Sequence, residues 1–343
     1  MKRLFSGLVN QYIGIDLGTS NTVVFVKNKG IVLNEASVIV LDENNKVLAV
    51  GNDAKNMIGR TPLKIRAIRP LREGVIADFE VTQKMIQYFI KKALASTMFA
   101  GPRVVVGVPY QITEVEKRAV YDATIQAGAK DVYLIEEPMA AAIGAGLPVT
   151  DAFGSMVVDI GGGTTEIAII SLGGIVSARS IRIGGDEFDS AILGYIKKKF
   201  NIIVGDNTAE RIKMEIGNAI VPKNEKMIEI TGRNLVTGIP NKVILKSSDV
   251  NIALEDPIRK IIDGVKATLE AAPPELASDV FVSGIMLTGG GALIHGLGQL
   301  ISNETGIPVR IAENPLDCVV RGAAEVVERF DELRGVFSTV RGK

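Results

Sequence analysis

With 343 residues, 47% of them apolar and 23% charged, the chain can bury more than one small core, and two domains are expected. Lysine plus arginine (39) balance aspartate plus glutamate (39), so no global basic field argues for nucleic acid as a partner. One cysteine, Cys318, and one histidine, His295, exclude an internal disulfide and a zinc site of the usual ligands, and no apolar run reaches the ~18 residues of a spanning helix.

Met1, Leu4, Phe5 and Leu8 recur at i, i+3, i+4 and i+7, while Lys2, Arg3 and Ser6 lie off that face. Such a cationic amphipathic end is expected to lie in a membrane interface, or else to be a frayed terminus or a helix packed on its own domain. It is too short for a signal peptide and no cleavage pattern follows, so the protein is expected in the cytoplasm.

Residues 11–50 predict strands at Tyr12–Asp16, Thr22–Lys27, Ile31–Asn34, Ser37–Leu41 and Val47–Val50. A short helix is expected over Asp53–Ile58, and Val81–Thr97 is amphipathic, with Met85, Ile86, Phe89, Ala93 and Leu94 on one face. The loop after it carries Met98 and Phe99, either tucked under or a second membrane contact. Residues 103–135 predict a β-α-β unit, its helix starting behind Thr113. Glu136-Glu137-Pro138 then opens a small-residue helix, Met139–Ala145. A carboxylate there can orient an attacking water, or simply complement the helix dipole.

Met156-Val157-Val158-Asp159-Ile160-Gly161-Gly162-Gly163-Thr164-Thr165-Glu166 reads as a strand ending in Asp, a glycine turn with hydroxyls, and a returning strand. Tyr12 to Val26 has the same order, with Asp16, Gly18, Thr19, Ser20 and Asn21 in the matching places. Two copies predict two similar domains, each offering a glycine hairpin to a shared cleft. Glycines let backbone N–H groups approach an anion, and hydroxyls add donors. An Asp at the strand end would repel a phosphate directly, but can hold a hydrated Mg²⁺ that neutralises it. A Mg·nucleotide clamp is therefore expected, although GxxxxGK[ST] is absent and Gly161–Glu166 fails GxGxxG.

Further on, helices are expected over Glu187–Phe200, Thr208–Gly217 and Asp249–Ala271, the last ended by Pro273-Pro274, with strands around Met227–Thr231 and Val243–Leu245. A third glycine turn, Gly289-Gly290-Gly291-Ala292, is expected to lead from a strand into a helix whose N-terminus faces phosphates. A helix around Glu325–Leu333 closes the chain. His295 is expected on a helix surface and Cys318 in the core, neither with a chemical role.

Three glycine turns in this order resemble the actin-like ATPase superfamily, which also holds sugar kinases and heat-shock chaperones. Ile15-Asp16-Leu17-Gly18-Thr19-Ser20-Asn21-Thr22, Gly74-Val75-Ile76-Ala77-Asp78-Phe79, Glu137-Pro138-Met139-Ala140-Ala141-Ala142-Ile143-Gly144, Thr208-Ala209-Glu210-Arg211-Ile212-Lys213 and Leu287-Thr288-Gly289-Gly290-Gly291-Ala292 narrow the match. They resemble the MreB family of bacterial rod-shape actins nearly end to end. Ser20 stands where that family usually has Ala, and Ala36 where it often has Pro.

The resemblance implies an α/β actin-like fold of two duplicated domains (four subdomains) around an ATP cleft. Domain I would span 10–146 and 315–343 with a small insert near 33–74; domain II would span 147–314 with an insert near 182–246. Gly18 to Asn21 and Gly161 to Thr165 would line the phosphates. Glu210, Arg211, Lys213 and Met214 would lie near the ribose and base, and Gly289 to Ala292 under the adenosine. Asp16 and Asp159 would serve Mg²⁺ through water, and Glu137 with Thr164 would orient the attacking water. Implied partners are other copies in a paired antiparallel filament, the inner face of the cell membrane, RodZ and other elongation proteins, with no nucleic acid. A small-molecule kinase or a chaperone ATPase is the alternative within the superfamily, but neither uses a membrane-seeking terminus.

Overall fold

The computed structural model describes residues 11–94 and 101–338. The expected membrane-contact residues Met1, Leu4, Phe5, Leu8, Met98 and Phe99 lie outside them.

Two sheets organise the molecule. One has six strands in the order Phe337–Ser338, Asp131–Glu136, Arg103–Val108, Tyr12–Leu17, Asn21–Val26, Gly30–Ala36. The other has five, in the order Gly174–Ile181, Thr165–Ser171, Ser155–Ile160, Ile285–Thr288, Val309–Ile311. Both follow one plan. An antiparallel three-strand meander comes first, and its first strand then pairs in parallel with the next of two added strands. In each meander the register slips at the outer pair, between Val24 and Phe25 and between Ile169 and Ile170. The duplication visible in the hairpins thus extends to whole sheets.

Helices cover these sheets, which is why Ser155–Ile160 and Thr165–Ser171 are buried along their full length. The helix Phe79–Leu94 buries Met85, Ile86, Phe89, Ala93 and Leu94, the apolar stripe of its sequence. The helix Glu114–Gln126 starts with a reciprocal cap. Glu116 N–H donates to Thr113 Oγ1 (3.2 Å), and Thr113 N–H donates to Glu116 Oε2 (2.7 Å).

Helices Glu137–Gly144 and Cys318–Glu328 join the two halves. Ala140, Ala142, Val319 and Ala323 share a core with Val105 and Ile135 of one sheet and with Val157 and Ala168 of the other. Their backbones nearly touch. A Cβ on Gly322 would run into the Ala140 carbonyl, and one on Gly144 into that of Cys318.

Two expectations are corrected. The last long helix covers Cys318–Glu328 rather than Glu325–Leu333, because its buried stripe begins at Val319 and Val320. The third glycine turn leads into a single 3₁₀ turn, Gly290–Leu293, and the α-helix begins only at Leu297. No α-helix N-terminus sits at that turn. The long helix Ser247–Glu270 does stop ahead of Pro273-Pro274, and Pro274 also opens a further helix to Ser283, in keeping with proline's fitness for a first helical turn.

Candidate active site

The turns at Gly18–Ser20 and Gly161–Thr164 face each other across a cavity of about 470 Å³. Their approach leaves no room for side chains on the second turn. A Cβ on Gly163 would stand 2.6 Å from Thr19 Oγ1, and one on Gly162 would run into the Ser20 hydroxyl. Glycine is required there by contact with the opposing hairpin. Thr19 Oγ1 accepts from Gly74 N–H (2.9 Å), and Ser20 Oγ donates to Asp186 Oδ1 (3.2 Å). Both hydroxyls tie their hairpin to segments at the cleft mouth.

Three carboxylates line the cavity floor. Asp16 and Asp159 each stand one residue before the end of the first strand of their meander. Burial pushes Asp16 up to about 8, with further repulsion from Asp159 and Asp317. Burial likewise pushes Asp159 up to about 6, against the 2.7 Å hydrogen bond it accepts from Thr288 Oγ1. Glu137, the first residue of its helix, is 8% exposed and held well above the usual carboxylate range. Burial is the main cause there too, followed by the charges of Glu166, Asp16 and Asp159.

So much negative charge in one desolvated pocket calls for a cation. Among the described residues no three His, Cys, Asp or Glu side chains cluster closely enough to cage one. Asp16 and Asp159, too few to cage a metal directly, therefore fit a Mg²⁺ that keeps its waters.

Of the residues expected at a nucleotide, Gly18, Thr19, Ser20, Asn21, Gly161, Gly162, Gly163, Thr164, Glu210, Lys213, Met214, Gly289, Gly290 and Gly291 line this cavity together with Asp16, Asp159 and Glu137. Lys213 is anchored rather than free: its Nζ donates to Gly185 O and pairs with Asp189, both at 2.9 Å. Gly289, at φ 76°, packs its turn directly on the Ile160 backbone at the end of the Asp159 strand.

Three expected residues point elsewhere. Thr165 is buried and its hydroxyl donates to Ile183 O (2.7 Å). Arg211 lies on an outward part of its helix and pairs with Glu215 (3.5 Å). Ala292 is buried beneath the 3₁₀ turn. In each case helical or strand periodicity turns the neighbour of a lining residue away from the cleft.

Other residues contribute that sequence reasoning passed over. Glu166 is 0% exposed, accepting from Ser180 Oγ (2.7 Å) and Tyr110 N–H (3.2 Å). Burial, only partly offset by these bonds, pushes it up to about 7. Its register opposite Asp159 in the hairpin was the available signal, since cross-strand partners share a face. His295 is not helical: it pairs in a bridge with Asn218, and both line the cavity.

A model of the MreB/Mbl protein family matches residues 10–335. The cell shape-determining protein MreB of Escherichia coli strain K12 is 52% identical over 337 residues, covering 96% of this chain and 97% of its own. The cell shape-determining protein Mbl of Bacillus subtilis strain 168 is 48% identical over 322 residues, covering 94% and 97%. A crystal structure of MreB 5 of Spiroplasma citri bound to AMPPNP superposes with a TM-score of 0.89 at 36% identity, over 94% of this chain and 98% of that one. A MamK double helical filament, at 21% identity and a TM-score of 0.79 over 93% and 99%, shares the fold. With the match running through both hairpins, Glu137 and the third glycine turn, the chain belongs to the MreB/Mbl family and has its actin-like fold.

Proposed function

We propose that this chain binds Mg·ATP between the two hairpins, hydrolyses it slowly, and uses the nucleotide state to govern its assembly into filaments. The filaments would lie on the inner face of the cell membrane, in antiparallel pairs, and organise peptidoglycan synthesis and rod shape with RodZ and other elongation proteins. The observation carrying this reading is the pair of facing glycine turns, each preceded by an aspartate that lines the cavity, Asp16 half-buried and Asp159 buried, with the buried Glu137 beside them. It is supported by relatives named as cell shape-determining proteins, and by Spiroplasma citri MreB 5 structures that hold AMPPNP or ADP.

Mg²⁺, when bound, would neutralise charge on the phosphates. Asp16 and Asp159 would hold it through its waters. Backbone amides of the two turns would cradle the phosphates, with Thr19 and Ser20 at the seam. Glu137, assisted by Thr164, would orient a water for in-line attack, a reaction governed by positioning. A terminal phosphate held by both hairpins would keep the halves 10–146 with 315–343 and 147–314 closed, and its loss would loosen them.

The test is Glu137→Ala in the full chain. ATP binding should stay within about twofold, while hydrolysis falls by roughly 10²–10⁴. Unchanged turnover would sink the catalytic role. Electron microscopy with Mg·ATP and acidic liposomes should give filaments on the lipid, lost when residues 1–9 are removed. Absence of polymer, with turnover stimulated by a small hydroxyl acceptor, would favour a kinase instead.

A further inference from the structure

Glu166 has no part in the water-orienting step, yet it is fully buried behind the cavity wall and does not line the cavity itself. It stands opposite Asp159 in the second hairpin and opposite Ser180 on the next strand. Its two oxygens are committed in different directions. Oε1 accepts from Ser180 Oγ (2.7 Å), within its own sheet, and Oε2 accepts from Tyr110 N–H (3.2 Å). Tyr110 lies two residues past the strand Arg103–Val108, which belongs to the other sheet. One side chain therefore ties the two sheets together next to the hairpin.

What the tie holds is the corner that carries Thr164 and Glu137. Pro109, the residue before Tyr110, packs with Thr164 against Gly74: a Cβ on Gly74 would stand 2.6 Å from Pro109 Cγ and 3.3 Å from Thr164 Cγ2. The Thr164 hydroxyl is a further, weaker donor to Glu166. Of the charges that act on Glu137, Glu166 acts most strongly, so the two carboxylates are near neighbours. Burying one more carboxylate here is costly, and hydrogen bonds from both sheets offset that cost only while the sheets keep this spacing. We propose that Glu166 is a positioning residue for hydrolysis, holding Thr164 and Glu137 in place for the attacking water while the two sheets are tied through Tyr110. This rests on the ATPase reading of the same cavity.

The test pairs calorimetric binding of AMPPNP with single-turnover ATP hydrolysis, using the full chain and Mg²⁺. Glu166→Ala should bind AMPPNP within about twofold of wild type and hydrolyse ATP roughly 10- to 100-fold more slowly, the cost of a loosened corner. Glu166→Gln keeps an acceptor for Tyr110 N–H and should recover to within about threefold of wild type. Ser180→Ala frees one oxygen only and should slow hydrolysis about threefold or more; it decides the matter if the alanine variant at 166 is insoluble. Hydrolysis at the wild-type rate in Glu166→Ala or Ser180→Ala would overturn the assignment. So would Glu166→Gln as slow as Glu166→Ala, since charge rather than the tie would then matter. Equal loss of binding and turnover in every variant would overturn it too, leaving Glu166 a structural residue. Wild type that binds AMPPNP but hydrolyses no ATP would overturn the ATPase reading and this inference with it.

Discussion

Gly163 and Thr19, on hairpins 144 positions apart, approach so closely that a Cβ on the glycine would stand 2.6 Å from the threonine hydroxyl oxygen and 3.0 Å from the Glu73 backbone. The seam between the two halves therefore sets glycine backbone against the hydroxyls of Thr19 and Ser20 and the backbone of Glu73. Gly163→Ala is expected to hold the hairpins apart and lower affinity for a non-hydrolysable ATP analogue by roughly tenfold, from an overpacking strain of about 1–3 kcal/mol. Calorimetry decides it: affinity within twofold of wild type would mean the turns have slack.

The helix pair beneath the cleft is tighter still. Gly322→Ala places a methyl against the Ala140 carbonyl, backbone on backbone, where no rotamer change relieves it. A loss of about 3 kcal/mol or more is expected in urea unfolding, or insoluble protein. A loss below about 1 kcal/mol would show that the helices can part without disturbing the core that joins the two sheets.

Stability without ligand should depend on pH. Asp16 and Asp159 stand at about 8 and about 6 in the folded chain. Unfolded carboxyls titrate near 4. Between those values the folded state binds more protons, so stability falls as pH rises through the window. Metal- and nucleotide-free protein is expected to melt higher at about pH 6 than at about pH 8, and saturating Mg·nucleotide should flatten the difference. A ligand-free melting temperature that rises over that range would contradict the buried-carboxylate account.

Lys55 pairs with Glu210 at 2.8 Å across the mouth, each side chain about 30% exposed. Such a pair is worth less than about 1 kcal/mol to folding. Glu210 also lines the cavity, so Lys55→Ala should leave the melting temperature nearly unchanged while nucleotide dissociation, followed by stopped flow, speeds up roughly threefold. An unchanged off-rate would reduce the pair to a surface contact.

Local pattern determined much of this protein without help from its structure. The Asp-glycine-hydroxyl hairpins, their duplication, the cap at Thr113 and the apolar stripe of Phe79–Leu94 all depend on residues near one another in the chain, where periodicity and turn chemistry act. The gathering of Asp16, Asp159 and Glu137 also followed, because duplicated strand ends imply a shared cleft. What only the tertiary structure decided is which side of each element the cleft sees. Thr164 and Thr165 are alike in sequence, yet one faces the cavity and the other bonds Ile183. Glu166 looked like an ordinary strand residue until Ser180 and Tyr110 enclosed it. Asn218 and His295 meet only because a loop after one helix lies beside the third glycine turn. Burial and partnership at these positions come from segments distant in sequence, and a single chain's pattern carries no record of which distant segment will be the neighbour.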